Sequence, residues 1–424
     1  MIAGIQGHKL PSMSLVIPYF VFSSISFLAA AILIYISSES FCIHYFHPKL
    51  LAITHMLVLG FITSVIFGAL FQMFPVIFNI TIKSELLGKL TFVCLSLGTC
   101  IMVYCFWIFK TGMLFQLGGG LVLLSFILFS INFFKSAESS GEASIESEFI
   151  SSSVIWLLLT GLVGLLLVIN FTYPFIHSSH LEILKIHAHF GIVGWILLLV
   201  MGVSAKLVPM FVIAKSQKPQ LLRYTYYLVN IGLIFVSLTV YFELSAWLTL
   251  FFIIMIIGGI LLFLTFIFQS FKTGVRKNLG PELRLTLISF YILIFCLPIA
   301  LVFPLKLFTN IQVMQLAVVY GLLILLGFSG ALILGQSLKI FPFILWMHIH
   351  QRYSGKKKIP LPKELVSEKV TSVIMVLFLF GLAGLVIFVL AGKVAGIRLS
   401  SAALIVSALL YNLNIFKAFS YKIS

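Results

Sequence analysis

Ten histidines are the residues of this chain best equipped for chemistry, and seven of them fall in two clusters. His44, His47 and His55 form the first cluster; His177, His180, His187 and His189 form the second. An offset of 133 residues carries His44 and His47 onto His177 and His180, and an offset of 134 carries His55 onto His189. Neutral imidazole ligates haem iron and copper, bonds to neighbouring helices, and lines polar paths through membranes. Three readings of His55 and His189 therefore stand open: interhelical hydrogen bonds, binding of haem b or copper, and a translocation path. His187 and His189 point about 200° apart on a helix, so both cannot face one metal without distortion. The HxxH pairs, His44/His47 and His177/His180, either capture a metal ion or are ordinary residues of the membrane interface. His348 and His350 lie beyond the tenth apolar run, on the expected cytoplasmic side, and cannot share a site with the clusters.

Other chemistry is scarce. The chain has no aspartate, and its eleven glutamates lie in loops or near helix ends, so no carboxylate relay crosses the membrane interior. Its five cysteines, Cys42, Cys94, Cys100, Cys105 and Cys296, include no CxxC pair. Neither a disulfide framework nor a thiolate zinc site is indicated.

The elements that position the histidines follow from composition. Apolar residues make up 61% of the 424 positions and charged residues only 9%, a balance that suits a surface facing lipid. Runs long enough to span a bilayer lie near 14–37, 49–78, 88–108, 113–134, 150–171, 183–212, 224–242, 245–270, 285–304, 312–346, 371–392 and 400–420. The expected fold is an all-α polytopic membrane protein of about twelve transmembrane helices. Of the 27 Lys and Arg residues, 21 fall on the side that holds both termini and the run Lys356, Lys357, Lys358. The positive-inside rule then makes both termini cytoplasmic. The charge of +16 reflects these short loops, and no nucleic-acid partner is expected. The stretch Ser136 to Ser153, rich in Ser and Glu, reads as a cytoplasmic linker.

The long second, sixth and tenth runs are related. An offset of 134 superposes Gly60, Gly68 and Pro75 on Gly194, Gly202 and Pro209, and a further 133 reaches Gly327, Gly335 and Pro342. Gln72, Lys206 and Lys339 share one position. Three four-helix repeats, 14–134, 150–270 and 285–420, are the natural division. The glycines allow close helix approach and the prolines should kink each long helix. His55 lies eight residues past His47, roughly 12 Å deeper, so His55 and His189 belong to the outer half of the membrane.

Twelve spans, cytoplasmic termini, a threefold repeat and outer-half histidines on the second and sixth spans together resemble subunit I of the haem-copper oxidase superfamily. The segment HAHFGIVGW, from His187 to Trp195, resembles the His-x-His…Gly-Trp segments of cbb3-type oxidases. The stretch from His55 through Gly60 and Gly68 to Pro75 resembles the NnrS family of haem- and copper-containing membrane proteins linked to nitric oxide. The resemblance implies haem or copper at His55, His189 and His187. It also implies a bacterial plasma membrane, redox partners or other respiratory subunits, and a role in respiration, metal or haem handling, or nitric oxide response. The family places further histidines on the seventh and tenth spans. Here the seventh has none, and Tyr320 and Leu322 stand at the repeat positions of the tenth, so a functional terminal oxidase is not expected. A transporter of a small solute or metal, or a cofactor-free scaffold, are the alternatives.

Overall fold

Lipid offers the backbone no hydrogen-bond partners, so a chain this apolar closes its N–H and C=O groups within helices. The computed structural model describes residues 10–77, 82–138, 144–215, 218–305, 309–353 and 361–419. Twelve of its helices are long and apolar enough to cross a membrane: α1 Met13–Ile36, α2 Pro48–Phe74, α3 Glu85–Trp107, α4 Met113–Ala137, α5 Ile145–Asn170, α6 His180–Val212, α7 Pro219–Tyr241, α8 Ala246–Thr273, α9 Pro281–Leu305, α10 Gln312–Arg352, α11 Glu368–Leu390 and α12 Val394–Lys417. No strand occurs among the described residues. The molecule is an all-α polytopic membrane protein, with Phe295, Phe380 and Leu413 among the large apolar side chains on its outer face.

Burial sorts the helices into two layers. The most apolar windows of α2, α6 and α10 are 78%, 78% and 72% buried, against 28–50% for the other nine, which makes these three the inner helices. Around them the contacts repeat. α1 packs on α2, α5 on α6 and α9 on α10, while α3/α4, α7/α8 and α11/α12 pair as hairpins. α4 then meets α5, α8 meets α9, and α12 returns to α1, closing a ring. Polar groups fasten that closure. Ser24 Oγ donates to Asn412 Oδ1 at 2.9 Å and Asn412 Nδ2 donates to the Ser24 carbonyl at 2.8 Å. Outside the apolar layer Arg398 meets Glu39 at 3.0 Å.

Each inner helix changes pitch once, through an eight-residue π-helical segment: Met56–Thr63, Phe190–Leu197 and Leu323–Gly330. The three segments start 134 and 133 residues apart, the offsets that relate the glycines. Such segments are rare and concentrate at functional sites. Gly60, Gly194 and Gly327 lie inside them and face the first helix of their own group of four. A Cβ there would lie 2.6 Å from Ser26 Oγ, 2.6 Å from Trp156 Cγ and 2.8 Å from Ile292 Cγ2, respectively. No side chain larger than hydrogen fits, so the glycine register sets how closely the inner and outer helices approach.

One expectation from sequence changes. The stretch Ser136 to Ser153 is mostly helix rather than linker: α4 runs to Ala137 and α5 starts at Ile145. Ser144 and Ser147 cap α5 reciprocally, at 3.2 Å and 3.0 Å, and Glu146 and Glu148 sit where the helix dipole favours negative charge. Only residues 139–143 of that stretch, like the basic run at 356–358 and the side chain of Pro75, lie outside the described residues.

Candidate functional site

α2 begins at Pro48 and α6 at His180, so His55 and His187 each sit seven residues into an inner helix. At 1.5 Å per residue that is about 10 Å from the helix start. Their rings lie nearly parallel, 18° apart, with centroids 6.4 Å from one another. This pair joins the first group of four helices to the second.

Each ring is held from behind by a backbone carbonyl. His55 Nδ1 bonds the Leu51 carbonyl at 2.8 Å, and His187 Nδ1 bonds the Thr160 carbonyl of α5 at 3.0 Å. A carbonyl only accepts, so Nδ1 carries the proton in both rings and Nε2 is left with its lone pair. This is the arrangement in which histidine ligates a metal, with the far nitrogen fixing tautomer and orientation. Gly164 on α5 completes the seat: a Cβ there would lie 2.7 Å from His187 Cε1.

His189 is held as its repeat mate is, with Nδ1 bonded to the Lys185 carbonyl at 2.8 Å. The ring beside His55, however, is that of His187. His187 turns to α5 while His189 bonds within its own helix, which agrees with the opposite directions expected of residues two apart.

A row of aromatic side chains begins at His55. Phe106 lies against His55 at 4.8 Å and 26°, and Phe115 meets Phe106 edge-on at 4.7 Å. Phe171 follows, 6.2 Å from Phe115 and 4.5 Å from His180, and Phe46 lies 5.7 Å from His180. This row of rings links His55 to His180.

The outer histidines are committed differently. The Phe46 N–H donates to His44 Nδ1 at 3.0 Å, and the Lys49 N–H donates to His47 Nδ1 at 3.3 Å. His47 is thus the N-cap of α2, in the role usually filled by Asn or Ser. Burial and, after it, the charge of Lys49 hold its imidazole below its usual pKa, which keeps the lone pair available. The Asn170 amide donates to His180 Nδ1 at 3.3 Å, its oxygen being occupied by the Phe175 and Ile176 N–H groups. His177 is exposed. Among the described residues no group of three or more His, Cys, Asp or Glu side chains converges as a metal cage. His44, His47 and His180 thus make loop and cap contacts through Nδ1, while in His55, His187 and His189 the Nδ1–carbonyl bonds leave the lone pair on Nε2.

The partner of His55 and the carbonyl behind His187 were not visible in the sequence. Gly164 was the available signal, since a small residue facing a helix that carries histidine marks room for a ring. No protein-family model matches the chain, and no curated protein matches it.

Proposed function

We propose that this membrane protein holds a metal centre, as haem b or copper, between His55 and His187. The observation that carries the reading is the pair itself: two neighbouring imidazoles, nearly parallel, each with Nδ1 bonded to a carbonyl, which leaves the lone pair on Nε2. Two imidazoles that share one ion end to end, with metal–nitrogen bonds of about 2.0 Å, have centroids roughly 6.3 Å apart. The observed 6.4 Å agrees with that spacing. His189 is a second free imidazole one residue pair deeper, and Leu322 leaves the third group of helices without a counterpart.

Bound haem or copper supplies one-electron chemistry or an open position for a small ligand such as nitric oxide. The chain's own residues fix the two rings through the Leu51 and Thr160 carbonyls, place Phe106 against His55, and hold the pair across a helix junction. Tyr320 and Leu322 stand where a binuclear oxygen-reducing site would need imidazoles, so the proposed role is in respiration, metal or haem handling, or nitric oxide response without oxygen reduction. The excess of basic residues on one side, 21 of 27, supports a plasma-membrane orientation with both termini in the cytoplasm. Redox proteins or respiratory subunits are the proposed partners. The test is the absorption spectrum and metal content of the purified protein, with oxygen uptake measured under an artificial reductant. A Soret band or bound copper without oxygen uptake is expected. Protein that holds neither after gentle purification and reconstitution, or that consumes oxygen, contradicts the reading.

A further inference from the structure

We infer that the seat between His55 and His187 takes a bare monovalent copper ion, bound by two nitrogens, in preference to haem or a divalent ion. This rests on the reading of the two histidines as metal ligands and narrows it to one occupant.

Donor number comes first. Zinc sites take four ligands, and copper(II) favours square-planar or tetragonal sets of N and O donors. Among the described residues no third His, Cys, Asp or Glu joins a cluster with these two rings. Copper(I), with a filled d shell, is satisfied by two neutral nitrogens in line. The centroid spacing of 6.4 Å and the 18° between ring planes suit that geometry.

Charge points the same way. The cost of burying an ion rises with the square of its charge, so a divalent ion in an apolar site needs anionic ligands to be held. The nearest acidic residue along α6, Glu182, is tied to Lys185 at 2.6 Å. The residues clustered around the rings are phenylalanines and backbone. Two neutral imidazoles leave a monovalent ion with a net charge of +1, the smallest any of these ions can present.

Shape is the third consideration. Phe106 already lies along His55, and the backbone at Gly164 already lies against His187. A bare ion needs only the space between the two rings, whose centroids stand 6.4 Å apart. A porphyrin reaches several ångströms beyond its iron on every side and would have to part α2, α5 and α6.

The experiment titrates purified full-length protein in detergent with copper(I), held by a colorimetric copper(I) chelator, and repeats it with silver(I), zinc(II) and haem. Copper X-ray absorption reads the ligand number. One equivalent of copper(I) or silver(I), two nitrogen neighbours and no competition by zinc(II) are expected. His55→Ala or His187→Ala should weaken binding at least about 100-fold, more than loss of an outer-shell partner does. Gly258→Ala, where an added Cβ meets nothing within 4 Å, should retain copper(I) and serves as the folded control. Zinc(II) bound as tightly as copper(I), or unchanged copper(I) affinity in the alanine variants, overturns the inference. A Soret band that depends on His55 and His187, without copper(I) binding, overturns this inference alone and leaves the metal-site reading standing. Loss of neither metal nor haem in the double alanine variant overturns both.

Discussion

Replacing Gly164 by alanine disturbs the site without removing a ligand. The added Cβ would lie 2.7 Å from His187 Cε1 and 3.2 Å from its Nδ1. Carbon atoms rest comfortably at roughly 3.5 Å, so the ring must retreat by about 0.8 Å. That exceeds the tolerance of about 0.5 Å within which a metal or catalytic constellation works. It also strains the 3.0 Å bond from Nδ1 to the Thr160 carbonyl, which fixes the tautomer. Losing such an outer contact costs about 10–100-fold in metal affinity, and that is the expected loss for Gly164→Ala. Global stability should move less. Alanine favours a helix interior over glycine by about 1 kcal/mol, which partly offsets an overpacking cost of about 1–3 kcal/mol. Gly258→Ala is the matched control, since nothing lies within 4 Å of a Cβ there. The assay is competitive metal titration of the three purified proteins, beside a thermal melt in detergent. Equal affinity in wild type and Gly164→Ala would refute the idea that α5 holds His187 from behind.

Three further outcomes are expected. Gly194→Ala places a Cβ 2.6 Å from Trp156 Cγ and 2.7 Å from its Cβ, and should destabilise by about 1–3 kcal/mol relative to Gly258→Ala; identical melting of the two would show that the glycine register does not set helix approach. His47 is held below its usual pKa of 6.5, so its cap on the Lys49 N–H is complete above that value and is lost as pH falls toward the folded pKa. Amide exchange at Lys49 and Leu50, corrected for intrinsic rates, should therefore quicken on acidification by an amount matching a cap of about 1 kcal/mol, and His47→Asn should abolish the pH dependence. Burial pushes the Cys42 thiol above its usual 9.0, so labelling of intact cells by an impermeant maleimide should be slow at neutral pH and rise with alkalinity; labelling only after lysis would reverse the assigned orientation.

Much of the architecture was legible because composition and register report it directly. Runs of apolar residues located the twelve helices, since hydrocarbon thickness sets their length. The Gly60/Gly194/Gly327 register located the close contacts of the inner helices, since only a missing side chain permits them. The π-helical segments were not legible, because Met56–Thr63 is as apolar as any α-helical stretch and pitch depends on what packs outside it. The neighbour of His55 was not legible for a related reason. Register fixes depth along a helix but not which neighbour a face meets, so His55 and His189 share a repeat position while the ring beside His55 is that of His187. The outer HxxH pairs read by spacing as either metal ligands or interfacial residues. The Nδ1 atoms of His44, His47 and His180 accept backbone and amide hydrogens, contacts that loop shape sets and spacing does not report. Ser136 to Ser153 read as a linker because Ser and Glu dominate it, yet those residue types also start helices, as Ser144 and Glu146 do here.

The most direct measurement is metal and haem content per mole of protein in wild type, His187→Ala and His189→Ala, purified side by side. If His55 and His187 form the seat, His187→Ala loses the metal and His189→Ala keeps it, with both variants inserted and folded as the wild type is. If His187→Ala keeps its full complement, or His189→Ala alone loses it, the seat at 6.4 Å between His55 and His187 is not the metal site.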